Sequence, residues 1–136
     1  MSDKKNKCDV FILGASGMLG NSLLRYFTNI NKYKVIGTIR GSDTPTKLSS
    51  YDKFILKNLD VNDEDHLKEK IHEYCPKVLI NCIGLVKQVD ASTDPIKAIQ
   101  INSLLPHKLL SICKSIDSKL IHISTDCVFN GKIGMY

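Results

Sequence analysis

The sequence predicts an α/β fold, a doubly wound parallel sheet. Two observations point there. Short runs apolar on both faces alternate with amphipathic runs of helical period. The first apolar run also leads directly into "GASGMLG", residues 14–20, where Gly14, Gly17 and Gly20 recur at three-residue intervals. Strands that are hydrophobic on both faces need helices on both sides of the sheet. Right-handed crossovers then leave the doubly wound arrangement as the first choice.

The elements follow in order. Residues 8–14, "CDVFILG", read as a short buried strand. Residues 17–28 read as a helix with Leu19, Leu23, Tyr26 and Phe27 on one side. Residues 33–40, "YKVIGTIR", form a second strand, and the polar, Pro-broken 42–50 a loop. Residues 53–60 are expected as a third strand. Asn62 is positioned to cap the next helix, with Asp63, Glu64 and Asp65 at the positive end of its dipole. Leu67, Ile71 and Tyr74 share one face of it, and Pro76 ends the run. Residues 77–84, "KVLINCIG", are a near-continuous apolar strand. Asp94-Pro95 is an N-cap and first-turn pair. The helix it opens carries Ile96, Ile99, Leu105, Leu109 and Ile112, with a kink expected at Pro106. Residues 119–124, "KLIHIS", are the fifth strand.

A length of 136 residues suits one domain, and no linker, repeat or low-complexity tract divides it. The net charge of +5 comes from scattered lysines, which describes a solvated basic surface rather than a nucleic-acid footprint. The five cysteines include no C-x-x-C pair, so buried free thiols are expected. The N-terminus has no apolar h-region, and no run approaches a membrane span, so a reduced, cytoplasmic setting is expected. No histidine forms a metal-ligand spacing with the cysteines; His66, His72, His107 and His122 fit solvated or packed roles.

The glycine turn carries the chemistry. The first glycine permits the tight turn out of the strand, the second lets a pyrophosphate approach the backbone, and the third lets the helix pack on the sheet. The helix N-terminus offers free N–H groups and positive potential to phosphates. Gly14, Ser16, Gly17, Met18, Leu19 and Gly20 are therefore expected to bind a dinucleotide, with the Ser16 hydroxyl as an added donor. An acid at the end of the second strand would take the ribose hydroxyls of NAD. Here that strand ends "GTIRGSD", and Arg40 is suited to pair with a 2′-phosphate. NADP(H) is favoured, and NAD(H), through Asp43, is the alternative. Asp60, followed by Val61, lies where a carboxylate could accept from an adenine amino group. Asn81, Cys82, Ile83 and Gly84 end the fourth strand, where ligands gather in open α/β sheets.

"GASGMLG", "LDVND", "NCIG" and "HISTDCVFNG" occur in this order, each at a predicted strand end. Together they resemble the extended short-chain dehydrogenase/reductase family, in its branch of nucleotide-sugar reductases typified by dTDP-4-dehydrorhamnose reductase. "STD-x-VF-x-G", residues 124–131, is the most specific part. "INSLLPHKLL", residues 101–110, is similar to a helix of that family, with Asn102 in the position of its Asn. The resemblance implies a Rossmann domain that binds NAD(P)H and serves reduction of a keto group on a nucleotide-linked sugar. A tyrosine donates the proton, a lysine lowers its pKa, and a Ser or Thr hydroxyl orients the carbonyl. The matching hydroxyl is Thr125, with Ser124 beside it. Asp126, Val128 and Phe129 match the loop that shapes the substrate site, and Lys87 lies in a stretch near the substrate.

The family's Tyr-x-x-x-Lys unit puts both side chains on one helix face, and no tyrosine in this sequence is followed by lysine at that spacing. Residues 1–136 are therefore expected to be a truncated NAD(P)-binding domain, its sheet incomplete at the C-terminal edge, lacking the catalytic helix and substrate-binding segment. Two alternatives stand beside the reductase: an NAD-dependent nucleotide-sugar epimerase or dehydratase, and a non-catalytic dinucleotide-binding regulatory module. A nucleotide-sugar substrate is the expected partner, with no nucleic acid, metal or membrane, and homo-oligomerisation is left open.

Overall fold

The computed structural model describes residues 6–85 and 94–125. Strands β1 (Val10–Leu13), β2 (Val35–Thr38), β3 (Ile55–Leu56), β4 (Val78–Asn81) and β5 (Lys119–His122) are all parallel. Their spatial order is β3-β2-β1-β4-β5. This is the doubly wound Rossmann order, in which the chain reverses direction across the sheet between β1 and β4. The connections carry helices α1 (Met18–Asn29), α2 (Glu64–Tyr74), α3 (Pro95–Ala98) and α4 (Leu105–Ser115).

The side-chain period of two divides β1 between two cores. Phe11 and Leu13 pack with Leu67 and Ile71 of α2 and with Leu105, Leu109 and Cys113 of α4. Val10 and Ile12 pack on the opposite face with Leu24 of α1 and with Leu48. β4 splits in the same way, Leu79 to the first layer and Ile80 to the second. Burial on both faces is the physical reason these strands read as unbroken apolar runs. The second layer stops short of β5. Leu120 packs under α4's layer, but Ile121 and Ile123, on the other face, are 47% and 45% exposed. Among the described residues the sheet is thus open at the edge where the sequence predicts it to be incomplete.

Several local expectations change. The stretch expected as a loop over 42–50 contains a 3₁₀ helix, Thr46–Phe54, which also takes the start of the expected third strand. Leu48, Tyr51 and Phe54 recur every three residues and all contribute to the second core; that is the period of a 3₁₀ helix. β3 shrinks to two residues because Asn58, at φ 58°, turns the chain immediately after it. Asp63, not Asn62, caps α2, accepting from the His66 backbone N–H at 3.0 Å.

The apolar stripes also rotate. In α1 the buried residues are Gly20, Asn21 and Leu24, while Leu19 and Tyr26 are exposed, because Gly20 must face the turn that precedes the helix. Asp94 caps α3 as expected, accepting from the N–H groups of Ile96 at 3.0 Å and Lys97 at 3.4 Å. A π-helical stretch, Ile99–Leu104, then joins α3 to α4 where a proline kink was expected. Pro106 has no N–H, and its ring crowds the carbonyl four residues back; the wider turn before it relieves that conflict. The altered phase leaves Ile96 and Ile99 exposed and buries Ile101, Leu105, Leu109 and Cys113 at four-residue spacing.

Candidate functional site

The glycine turn is built as a cradle of bare backbone. Gly14 adopts φ 84°, a left-handed conformation that a side chain would strain. The Gly17 N–H donates to the Gly14 carbonyl at 3.0 Å, closing the turn. A methyl at Gly20 would lie 2.2 Å from that same carbonyl oxygen, so α1 rests directly on the turn. The Ala15 N–H donates to the Thr38 carbonyl at 2.9 Å, tying the turn to β2. No side chain caps α1 at Gly17, which leaves its first amides without a side-chain acceptor.

A cleft of about 800 Å³ opens over this turn at the carboxyl ends of the strands. Its floor is Gly14, Ser16 and Ile83. One wall is the chain after β2, Thr38 to Gly41 with Asp43 and Pro45. The far wall is Leu59 to Asn62 with Leu85, Lys97, Gln100 and Ile101. It straddles β1, whose neighbours β2 and β4 lead in opposite directions, so it occupies the switch point where open α/β sheets take ligands.

Of the residues singled out in the sequence, Gly14, Ser16, Arg40, Asp60, Val61 and Ile83 line this cleft. Arg40 is exposed there and free of ion pairs among the described residues. Asp60 is held from behind: Asn62 donates to its Oδ1 through both the backbone N–H, at 2.9 Å, and Nδ2, at 2.8 Å. Asn62 thus braces the candidate adenine acceptor instead of capping α2. Gly17, Met18, Leu19 and Gly20 form the bend and first turn of α1 outside the cleft lining, with Met18 87% exposed.

Asn81 is fully buried and acts behind the site. Its Oδ1 accepts from the Ile83 N–H at 3.1 Å, and its Nδ2 faces His122 Nδ1 at 3.1 Å. An amide N–H can only donate, so His122 accepts at Nδ1. This pair couples the ends of β4 and β5. Cys82 is half-buried in the second core, and burial pushes its thiol pKa up. Gly84 runs beside the Asn102 side chain, 3.7 Å from where a Cβ would sit. Asn102, in the π-helical stretch, holds Leu85 like a strand partner, accepting from its N–H at 2.8 Å and donating to its carbonyl at 2.9 Å. Thr125 is exposed just beyond β5 and outside the cleft lining. Lys87, Asp126, Val128 and Phe129 lie outside the described residues.

Burial pushes the Cys8 thiol up to about 12 and raises Cys113 as well. Among the described residues, no cluster of three His, Cys, Asp or Glu could hold a metal, and no helix is long and apolar enough to cross a membrane. Sequence reasoning missed Asn62 and His122 as braces, and missed Lys97, Gln100 and Ile101 as the far wall. Only the Asp-x-Asn spacing at 60–62 offered a local signal; the others act across the fold.

Comparison with known proteins agrees with this fold. A probable low-salt glycan biosynthesis reductase, Agl14, of Haloferax volcanii is 30% identical over 122 residues, covering 90% of this chain and 38% of that protein. The crystal structure of a hypothetical dTDP-4-dehydrorhamnose reductase from Sulfolobus tokodaii superposes with a TM-score of 0.75 at 31% identity, covering 94% of this chain and 43% of that one. A Bacillus anthracis dTDP-4-dehydrorhamnose reductase, solved in complex with NADP, gives a TM-score of 0.67 at 25% identity, covering 96% of this chain and 40% of that one. The chain thus spans 38% to 43% of these relatives' length. Residues 8–136 match the family described as the RmlD substrate binding domain, and the chain belongs to that family.

Proposed function

We propose that this chain is the NAD(P)H-binding part of a nucleotide-sugar reductase resembling dTDP-4-dehydrorhamnose reductase. The observation that carries the reading is the cleft at the switch point, floored by a glycine turn and the uncapped start of α1. The residues present suit a dinucleotide. Gly14 and Gly17 expose bare backbone, and a methyl at Gly17 would meet nothing nearer than the Gly14 oxygen at 3.4 Å. The α1 amides can donate to a pyrophosphate. Asp60, steadied by Asn62, can accept from an adenine amino group. Arg40 supplies a guanidinium for a 2′-phosphate, which favours NADP(H) over NAD(H). When bound, the nicotinamide supplies a hydride. Thr125 would orient the sugar carbonyl by a hydrogen bond, and Lys87, Asp126, Val128 and Phe129 would face the substrate.

Titration calorimetry of the chain with NADPH and NADH tests this. Tighter binding of NADPH is expected, and Arg40→Ala should cost NADPH about tenfold in affinity while leaving NADH nearly unchanged. A preference for NADPH that survives Arg40→Ala removes Arg40 from the 2′-phosphate site. Absence of binding to either nucleotide removes the dinucleotide reading itself.

A further inference from the structure

Cys8 and Cys75 meet at the end of the sheet opposite the cleft. Cys8 is buried just before β1. Cys75 follows the last residue of α2 and is half-buried. The Cys8 N–H donates to the Tyr74 carbonyl at 3.0 Å. One hydrogen bond and one peptide plane therefore join the α-carbons of Cys8 and Cys75, which stand no more than about 7 Å apart. Within that limit a disulfide closes without moving the backbone. Cys75 also holds an uncommon conformation. Its φ of 38° and ψ of 59° are left-handed, and its N–H donates to the Ile71 carbonyl at 2.9 Å to close α2. Glycine or asparagine takes that position most easily, and a cysteine Cβ is strained there.

We propose that Cys8 and Cys75 form a reversible disulfide by exchange with a low-molecular-weight disulfide such as oxidised glutathione. This stands apart from the dinucleotide reading. The chemistry runs in two steps. Burial above all pushes the Cys8 thiol up to about 12, and the charge of a nearby Cys75 thiolate adds to it, so Cys8 is not the first nucleophile. The more exposed Cys75 thiolate attacks one sulfur of oxidised glutathione. The S–S bond of the oxidant breaks, and one glutathione leaves and takes up the proton that Cys75 gave. The Cys8 sulfur then gives up its proton and attacks Cys75 Sγ in the mixed disulfide. The second glutathione leaves as its thiol. Two protein thiols are oxidised, and one glutathione disulfide is reduced to two thiols. The link closes a loop from residue 8 to residue 75 that contains β1, α1, β2, β3 and α2. It removes freedom from the unfolded chain, so the oxidised form resists unfolding.

The test incubates the unaltered chain with oxidised glutathione, blocks the remaining thiols by alkylation, and maps tryptic peptides by mass spectrometry without reduction. Thermal melting is followed before and after dithiothreitol. A cross-link between peptides 8–25 and 71–77 is expected. Melting should rise by roughly 5–10 °C, and dithiothreitol should reverse both changes. Cys8→Ser should leave glutathione trapped on Cys75. Cys75→Gly relieves the left-handed residue and so keeps the fold; it should abolish the cross-link and the oxidative rise in melting. In the unaltered chain, a glutathione adduct that persists on Cys75 overturns the proposal, because Cys8 then does not resolve it. A link from Cys8 or Cys75 to a different cysteine overturns it as well, and so does the absence of any reaction at either residue.

Discussion

Gly20 stands over the carbonyl of Gly14 with no room for a methyl: a Cβ there would fall 2.2 Å from the oxygen and 2.8 Å from the carbonyl carbon. The contact is backbone against backbone, so no rotamer change can relieve it. Gly20→Ala should therefore lift α1 from the turn and destabilise the fold by roughly 1–3 kcal/mol. Nucleotide binding should be lost along with it. Thermal denaturation and NADPH titration of the variant check both, and a variant with unchanged melting and binding would mean that the helix does not rest on the turn.

Asn102 holds Leu85 by a donor and an acceptor at once. Asn102→Ala removes both bonds and should cost about 1 kcal/mol. Asn102→Asp should be worse, since it sets a carboxylate oxygen against the Leu85 carbonyl where an N–H stood. Urea denaturation of the two variants checks the order, and equal effects would indicate that only one of the two bonds matters.

Asp9 and Lys77 link the start of β1 to β4, with Nζ and Oδ1 2.7 Å apart. The Lys77 side chain and the Lys34 backbone N–H hold the Asp9 carboxyl below its ordinary value of 3.8, and Asp9 holds Lys77 above 10.5. A depressed carboxyl contributes stability above its unfolded value and loses it as pH falls through the folded one. The raised ammonium contributes below 10.5 and loses its part as pH rises through its folded value. Asp9→Asn should therefore flatten the acid limb of a stability-against-pH curve. The effect is small, because the pair is exposed. Denaturation midpoints between neutral and acid pH read it, and an unchanged acid limb would remove the pair from the balance.

Thr125 is proposed to touch substrate and not cofactor. On the proposed function, Thr125→Ala should lower NADPH-dependent reduction of a nucleotide-linked keto sugar by roughly 10²-fold while NADPH binding stays within about twofold. Absorbance of NADPH during turnover and calorimetry separate the two readouts. Unchanged turnover would remove Thr125 from the chemistry.

The sheet and its glycine turn were legible in the amino-acid order because their causes are local or periodic. A strand buried on both faces must be apolar throughout, as Val10–Leu13 and Val78–Asn81 are. A tight strand-to-helix turn requires glycine at a positive φ, as at Gly14. The helix caps at Asp63 and Asp94 depend on bonds two or three residues away; Asp94 is legible beside Pro95, whereas Asn62 and Asp63 are both cap residues, and only the fold turns Asn62 back onto Asp60. The 3₁₀ helix was hidden by its polar composition, because a period of three over nine residues carries only three apolar positions.

Tertiary structure decided the rest. Asn81 looked like a cleft residue, and burial turned it into a brace between β4 and β5. Pro106 looked like a kink, and the chain widened before it, which changed the faces that Ile96 and Ile101 present. Lys47 looked like one more solvated lysine until the fold carried it to Ser16. The sequence by itself determined a parallel Rossmann sheet with a glycine turn between its first strand and first helix, since periodicity and backbone sterics are written along the chain. Which polar groups meet across it was decided only when strands distant in sequence paired, because a hydrogen bond depends on distance in space and not on position in the chain.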